Sequence, residues 1–378
     1  MLIGGGHSHV EVLRQFGRRP VAGAQLTLLS RHADTPYSGM LPGVVAGHYT
    51  RRESHIDLLP LVRSAGGTFV IDEAIGLDLD RRLVRRHHGP PIRWDVLSID
   101  IGSTPDTGGV PLSPGAVCVK PIDGFLARWQ DLLGKLGDER HPRRLAVIGG
   151  GAAGVELVLA MQFRASALVS RWGLEPHHLQ FALFSSAPDI LPGYPASVRR
   201  RFLRVLSERH VEVHLGQSVT AVEAGAIVTA DARHVVDHVV WATSARAAAW
   251  IGSSGLAVDA KGFMRIAETL ESVSHPGVFG AGDVATMDGH PRPKSGVFAV
   301  RQGPPLARNL RAALEGSALT AYQPQVHALS LITTGDKHAV ASRGSWVTSG
   351  AWVWRWKDWI DRRFMRRYRG YDGCLVGG

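Results

Sequence analysis

A complete G-x-G-x-x-G motif at Gly149, Gly151 and Gly154 is the feature that most limits how this chain can fold. The apolar run at 145–148 precedes it, and an apolar pattern with helical spacing follows it. Glycine is needed at the tight turn, where the backbone nears a pyrophosphate, and where helix and strand pack closely. The flanks favour a dinucleotide-binding βαβ unit over a chance glycine turn. Its predicted cofactor contacts are Gly149, Gly151, Ala152, Ala153 and Gly154.

An incomplete form of the same motif opens the chain. Gly4 and Gly6 hold the first two glycine positions, but His9 stands at the third. His7 and Ser8 fall at the start of the following helix, where amides and side chains can contact a phosphate. Histidines that only fill the first helical turn are the alternative. Few residues precede Gly4, so the first strand is about half the usual length, and we expect the natural chain to begin further upstream.

A third glycine turn lies at 280–283, where the sequence is Gly-Ala-Gly-Asp. The run at 277–285 predicts a strand, a turn and then a helix, with Asp283 as a helix cap or a ligand contact. Two βαβ openings 145 residues apart indicate one domain inserted into another. We therefore predict an α/β fold with two Rossmann-like dinucleotide-binding domains and a small C-terminal region. The predicted boundaries are 1–105 with 263–325, then 106–262, then 326–378.

Cysteine content and hydropathy exclude several other classes of protein. Cys118 and Cys374 are the only cysteines, too few for a disulfide framework, a thiolate zinc site or a C-x-x-C redox pair. We predict no metal site. This usage fits a reducing compartment, and no signal peptide precedes the first motif, so we expect a cytoplasmic protein. The apolar stretch at 145–163 is broken by glycines, so no transmembrane helix is predicted.

The motifs together resemble a known family. The run at 269–283 resembles the second flavin fingerprint of flavoproteins with two dinucleotide-binding domains. The order of the three glycine turns is similar, over nearly the full chain, to the pyridine nucleotide-disulfide oxidoreductase superfamily. Within it, the runs at 4–10, 36–43, 98–103, 298–303 and 331–336 resemble type II NADH dehydrogenases. They are closer still to the flavoprotein part of selenide, water dikinase fusions.

This resemblance implies an FAD-dependent NAD(P)H dehydrogenase. NADH, or NADPH, delivers hydride to flavin N5, and electrons then pass to a quinone or similar small-molecule acceptor. The resemblance implies that 1–105 with 263–325 binds FAD and that 106–262 binds NAD(P)H. It assigns catalytic roles to Glu156, beside the nicotinamide, and to Gln302, beside the flavin pyrimidine edge. A first-turn glutamate that only complements the helix dipole is the alternative for Glu156. The further FAD contacts that it implies are Ser30, Arg31, Pro42, Gly282 and Asp283.

Departures from the family pattern keep alternatives open. Ser30 and Arg31 replace the acidic residue expected to bind the FAD ribose, so that recognition must differ. The quinone-pocket glutamines align with Val297 and Arg301, and the disulfide-reductase cysteines are absent. A soluble flavoprotein oxidoreductase of selenium or sulfur metabolism is therefore an alternative, as is a flavin-binding regulator with little turnover. Ser185 occupies the acidic position that would mark NADH, which we still favour over NADPH. No nucleic-acid partner is expected.

The C-terminal region ends in a basic amphipathic helix. Residues 352–369 carry seven cations against two aspartates, a net charge of +5. Trp352, Trp356 and Trp359 share one half of the helical wheel with other apolar residues, although Lys357 intrudes there. Tryptophan suits the lipid headgroup boundary and arginine suits anionic phosphates. We predict peripheral attachment to the inner face of the cell membrane. A helix docked on the protein body, or a homodimer contact, is the alternative.

Overall fold

The structure is a computed structural model that describes residues 1–136, 143–173, 179–243 and 245–370. The first part of the chain alternates short strands and helices, and a 3-10 turn at Ser38–Met40 precedes α2. Its elements are β1 Leu2–Ile3, α1 His7–Arg18, β2 Thr27–Ser30, β3 Asp34–Pro36, α2 Leu41–Val45, α3 Arg51–Ser54, β4 His55–Asp57, α4 Leu58–Ser64, β5 Thr68–Ile71, β6 Ala74–Asp78, β7 Leu83–Arg86, β8 Ile92–Arg93, β9 Leu97–Ile99 and β10 Thr104–Pro105.

The middle part of the chain repeats this alternation around the complete glycine motif. Its elements are β11 Ala116–Cys118, α5 Ile122–Leu136, β12 Arg143–Ile148, α6 Ala152–Trp172, β13 Leu179–Phe184, α7 Ala196–Glu208, β14 Val211–His214, β15 Val219–Glu223, β16 Ala226–Thr229, β17 Arg233–Val235, β18 His238–Trp241, β19 Ala245–Arg246 and α8 Ala249–Ser253. Strands β11, β18, β12, β13 and β14 form one parallel sheet in that order.

The chain then returns to the first unit. The next elements are β20 Met264–Ile266, β21 Val278–Gly280, β22 Ala285–Met287 and α9 Gly296–Glu315. Strand β21 joins a second parallel sheet in the order β21, β9, β1, β2, β5, with Val278 opposite Leu97. The predicted α/β class with two Rossmann-like units is confirmed. In both sheets the glycine turn follows a central strand, so each turn lies at the carboxyl edge of its sheet, the edge where ligands bind in this architecture.

One predicted helix is wrong. After the glycine turn at 280–283 the chain makes a 3-10 turn at Gly282–Val284 and continues as strand β22, not as a helix. Strand β22 pairs in parallel with β20, with Met264 opposite Ala285, so residues 285–287 use their backbone groups in a sheet. The long helix α9 begins only at Gly296, after a loop that contains Pro291 and Pro293.

Helix α6 connects the parallel strands β12 and β13 of the middle sheet. Among the described residues it is the one helix, at Ala152–Arg171, that is long and apolar enough to cross a membrane. Val155, Val158 and Met161 are completely buried in the core beneath this sheet. Packing against the sheet therefore accounts for the apolar character of this helix.

The C-terminal region contains three strands and one helix. It consists of β23 Ser330–Thr333, β24 Ala339–Arg343, β25 Trp346–Gly350 and α10 Ala351–Arg366, and the three strands form an antiparallel sheet. Phe364, Met365 and Tyr368 join the core of the first unit. Ile332 and Val340 join the core around α6. The C-terminal region is thus packed against both units.

We expect Gly149→Ala to lower the free energy of unfolding by about 3 kcal/mol, because it strains the backbone and creates a clash. Gly149 has a φ of +132°, and a Cβ there would lie 2.6 Å from the Ala242 carbonyl oxygen. Gly151→Ala is the matched control, since Gly151 has a φ of −75°. Its cost should stay below about 1 kcal/mol. Equal urea midpoints for the two variants would contradict this account.

Candidate functional site

The first glycine turn is held by the end of strand β9. Gly4 has a φ of +93°, and Gly6 donates its amide to the Asp100 carbonyl oxygen at 3.0 Å. The Asp100 carboxylate accepts the amides of Ser8 at 2.9 Å and His9 at 3.1 Å. Burial raises the pKa of Asp100 to about 7, although these two amides favour the ionised form. Asp100 lies within the run at 98–103 that resembles type II NADH dehydrogenases, but the sequence pattern predicts no role for this residue.

The two histidines of this turn differ in their surroundings. His9 is fully buried, and its ring bonds the Gly4 carbonyl oxygen at 2.7 Å and the Ser98 hydroxyl at 2.8 Å. It therefore fills the third glycine position as a structural group. The His7 ring lies 5.4 Å from the Tyr37 ring, and within the described chain its buried Nε2 has no hydrogen-bond partner. Burial lowers the pKa of both histidines to about 4, so both are neutral at pH 7.

The third glycine turn lies beside the first. The Gly282 amide donates to Gln302 Oε1 at 2.7 Å, and Ser8 Oγ donates to the Ala299 carbonyl oxygen on the same helix at 2.6 Å. Asp283 Oδ2 accepts Lys120 Nζ at 2.7 Å. The same lysine donates to Ser103 Oγ at 2.7 Å. The fold therefore brings Ser8, Gly282 and Gln302 together, and it adds Lys120 and Ser103, which sequence reasoning missed.

The remaining predicted FAD residues lie at other ends of strands and helices. Ser30 ends β2, and its carbonyl oxygen accepts the Asp72 amide at 3.0 Å. Arg31 is about half exposed, and its guanidinium lies 3.5 Å from the Glu73 carboxylate. Pro42 is buried near the start of α2. Ser30 thus lies in β2, Arg31 in the loop that follows it and Pro42 in α2, and the described contacts do not join them to Gln302.

The second glycine turn leaves a free space in front of its helix. Apart from Gly151 itself and its two chain neighbours, no described residue comes within 4 Å of a Cβ built at Gly151, and α6 begins with Ala152 and Ala153. At Gly154 a side chain would overlap the Gly149 carbonyl oxygen. Gly154 therefore allows close packing of helix and strand, whereas Gly151 leaves the first amides of α6 accessible to an anion.

Glu156 is directed toward the C-terminal region. Its Oε1 accepts the amide of Thr333 at 2.6 Å and the hydroxyl of Thr333 at 2.9 Å. Burial raises the pKa of Glu156, and the nearby Lys357 opposes that shift. No described contact joins Glu156 to Gln302, so the described structure does not bring the two predicted catalytic residues together.

Helix α10 supplies a buried ion pair that the sequence pattern did not predict. Lys357 Nζ donates to Asp361 Oδ2 at 2.6 Å and to the Gly39 carbonyl oxygen at 2.6 Å, in the loop that leads to α2. Burial raises the pKa of Asp361, and the Lys357 ammonium and the Tyr37 hydroxyl oppose that shift. The two charged residues are 8% and 4% exposed. The sequence contained a usable signal, because Lys357 and Asp361 are four residues apart on one helical face.

The arrangement fits two nucleotide cofactors. The turn at Gly151 offers free space and helix amides for a pyrophosphate. The orphaned His7 Nε2 and the Asp283 carboxylate are polar groups at the carboxyl edge of the other sheet. Among the described residues, no group of three or more His, Cys, Asp or Glu side chains is placed to hold a metal ion.

Comparison with known proteins gives a family and several relatives. The profile of the family described as "Pyridine nucleotide-disulphide oxidoreductase" matches residues 1–303. The type II NADH:quinone oxidoreductase of Staphylococcus haemolyticus is 20% identical, over 85% of this chain and 84% of that protein. The one from Haemophilus influenzae is 26% identical over 50% of this chain. That alignment spans 44% of the Haemophilus influenzae protein.

Solved structures resemble the whole chain. NDH2 from Plasmodium falciparum, solved in complex with NADH, superposes with a TM-score of 0.79 at 13% identity, covering 98% of this chain and 99% of that one. The sulfide:quinone oxidoreductase of Aquifex aeolicus gives a TM-score of 0.80 at 17% identity, covering 98% and 91%. At these identities the likeness shows the fold.

We expect Lys357→Met to lower the free energy of unfolding by about 3 kcal/mol, because it leaves the Asp361 carboxylate buried without its cation. The double variant Lys357→Met/Asp361→Leu should recover most of that loss, since no buried charge remains. Arg363→Met, at an exposed position of α10, is the control and should change stability by less than about 0.5 kcal/mol. Urea unfolding of the three variants tests this. A single variant as stable as the control would refute it.

Proposed function

The chain belongs to the pyridine nucleotide-disulphide oxidoreductase family, and on that premise we propose that it oxidises NADH through bound FAD and passes the electrons to a quinone. The observation that carries the proposal is the pair of glycine turns at the carboxyl edges of two parallel sheets, one with free space at Gly151. The names of the relatives, type II NADH:quinone oxidoreductases, support NADH as donor and a quinone as acceptor.

FAD supplies the redox chemistry, since it accepts two electrons from a nicotinamide and releases them to a second substrate. The protein holds and orients the reactants. We propose that Asp283 and the turn around Gly282 hold FAD, with Gln302 fixing that turn through its bond to the Gly282 amide. The first amides of α6, at Ala152 and Ala153, hold the pyrophosphate of the pyridine nucleotide.

Glu156 is the proposed catalytic carboxyl group. The bonds from Thr333 hold its Oε1, which leaves Oε2 for a ligand. Thr333 belongs to the C-terminal sheet, so the C-terminal region fixes a residue of the nucleotide-binding turn. This geometry supports a role in orienting the nicotinamide, with Lys357 supplying a nearby positive charge.

The proposed preference for NADH is supported by the partners that engage Arg199 and Arg201. Ser185 follows the strand whose end recognises the adenosine ribose, and it provides no cation for a 2′-phosphate. Arg199 lies 3.1 Å from the Asp189 carboxylate, and Arg201 donates to the Ser349 hydroxyl. Both arginines are therefore engaged within the protein. A 2′-phosphate would have to compete with these partners.

We propose the domain boundaries 1–105 with 263–325 for FAD, 106–262 for the pyridine nucleotide and 326–378 for the C-terminal region. Strand membership supports them, because β21 lies beside β9 in the first sheet, while β11, β12, β13, β14 and β18 build the second. Between the two units runs a short antiparallel pair, β10 with β19, in which Thr104 lies opposite Arg246.

We expect NADH, added without oxygen to the purified yellow holoprotein, to bleach the flavin, and a water-soluble quinone to restore the colour. Glu156→Gln should keep FAD but lower kcat by about tenfold or more, because it removes the proposed catalytic carboxylate. Arg200→Gln, on an exposed helix face, is the control.

NADPH should give a lower kcat/KM than NADH. Bleaching that no quinone reverses would leave a soluble-acceptor enzyme, and no bleaching would leave a flavin-binding regulator.

We also propose that the outer face of α10 attaches the protein to an anionic membrane surface. Val353, Phe364 and Tyr368, which lie on the same half of the helical wheel as Trp352 and Trp359, are buried against the protein body. Trp352 and Trp359 are about half exposed, and the Trp352 ring stacks 6.4 Å from the Trp356 ring. The docked helix therefore still presents a smaller aromatic face. Exposed arginines at 355, 363, 366 and 367 flank it.

Replacing Trp352 and Trp359 by glutamate should move the holoprotein from sedimenting vesicles to the supernatant, because the aromatic face is lost while the core residues of α10 remain. Anionic vesicles at low salt are the assay, and each cation near their surface adds about 1 kcal/mol of binding free energy. Val235→Glu, an exposed position on β17, should still sediment. If the unmodified protein stays in solution, the membrane proposal is refuted.

A further inference from the structure

The two glycine turns differ at one position of the strand beside them. In the second unit that position is Ala242, whose carbonyl oxygen would lie 2.6 Å from a Cβ at Gly149. In the first unit it is Asp100, whose carbonyl oxygen would lie 2.4 Å from a Cβ at Gly4 and accepts the Gly6 amide at 3.0 Å. The same backbone geometry thus presents a methyl group in one unit and a carboxyl group in the other.

The Asp100 carboxyl group fills the space at its own turn. It is 2% exposed, and Oδ2 accepts the amides of Ser8 and His9 at 2.9 and 3.1 Å. A Cβ built at Gly282 would lie 2.6 Å from Asp100 Oδ1. The carboxyl group therefore stands between the first and third glycine turns, and it occupies amides that the second unit leaves accessible.

We propose that Asp100 is a positioning residue for FAD whose carboxyl group takes up a proton when the cofactor's pyrophosphate binds beside it, so that FAD affinity falls as pH rises. The inference rests on the flavin binding of the proposed function, and it concerns neither the electron donor nor the acceptor.

The physical reason is repulsion between two anions in a buried place. A pyrophosphate at the first turn needs helix amides that an ionised Asp100 already holds, and the two negative charges repel each other. A protonated carboxyl group removes the repulsion and can donate a hydrogen bond to a phosphate oxygen. Burial already raises the pKa of Asp100 to about 7 in the chain alone, and a neighbouring phosphate raises it further.

The sign of the pH dependence follows from these two pKa values. Below the pKa of the cofactor-free chain the carboxyl group is protonated in both states, so binding takes up no proton. Above it, the free chain must take up a proton to bind FAD. FAD affinity then falls by up to about tenfold per pH unit until the pKa of the bound state is reached.

Other titratable groups face the Asp100 carboxyl group, and their proton uptake must be distinguished from that of Asp100. His7 and His9, on α1, have pKa values lowered by burial to about 4, so they stay neutral across the range of interest. Asp283 faces Asp100 from the third turn and is paired with Lys120 at 2.7 Å. Burial lowers the pKa of Lys294 to about 8, so this lysine can also take up a proton on anion binding.

The decisive measurement is the FAD affinity of dilute holoprotein between about pH 6 and 8.5, read from the fluorescence of released flavin. The unmodified chain should lose about tenfold or more in affinity across this range. Asp100→Asn should lose most of that slope and should bind FAD more tightly than the unmodified chain at the alkaline end. Asp95→Asn removes an exposed carboxylate at the other end of β9 and should keep the slope.

Two results would overturn the inference. A flat profile in the unmodified chain does so, and so does an Asp100→Asn variant with weaker binding but an unchanged slope, which is what a purely structural carboxylate would give.

If the Asp100→Asn variant fails to fold, the Lys294→Gln variant provides a second test. Calorimetry of FAD binding to this variant in two buffers gives the number of protons that are taken up. At about pH 7.5, a number close to zero overturns the inference. A chain that binds no FAD at any pH would overturn the proposed function as well.

Discussion

Close contact between backbones at two glycine turns is the constraint on which the rest of this molecule depends. Gly4 lies against the carbonyl group of Asp100, and Gly149 lies against that of Ala242, at distances that no side chain allows. Each contact fixes the strand before the turn and the helix after it against the next strand of the sheet. The amino ends of α1 and α6 are thereby directed to the carboxyl edges of their sheets, where the cofactors of this family bind.

The C-terminal region contacts both units. Its sheet bonds Glu156 through Thr333, and its helix bonds the Gly39 carbonyl oxygen through Lys357. Its apolar residues belong to the cores of both units. This segment, for which the sequence left both membrane attachment and docking on the protein body open, therefore links the turn at Ser38–Met40 to helix α6. We expect substitutions in α10 to affect catalysis through these contacts, because the hydrogen bonds join charged or carbonyl groups that have little exposure to solvent.

Charge is distributed unevenly around the proposed redox site. The first unit places two carboxyl groups, Asp100 and Asp283, at its turns, and Lys120 neutralises the second. The second unit leaves Gly151 open and has alanine at the position of Asp100. The turns therefore offer similar backbone geometry but different electrostatics. A cofactor retained through many turnovers and a nucleotide that must leave after each one place different demands on binding.

The sequence alone determined the α/β class, the two nucleotide-binding units and the family. The class and the two units follow from local patterns, since a glycine turn between strand and helix has few alternatives, and the family follows from the resemblance of these motifs to known proteins. The sequence did not determine that β22 would replace the helix after Asp283, because the pairing of β22 with β20 joins segments about twenty residues apart. Nor did it reveal the role of Asp100 or the Lys357–Asp361 pair. Both depend on which distant groups the folded chain brings within hydrogen-bond distance, and only the tertiary structure decides that.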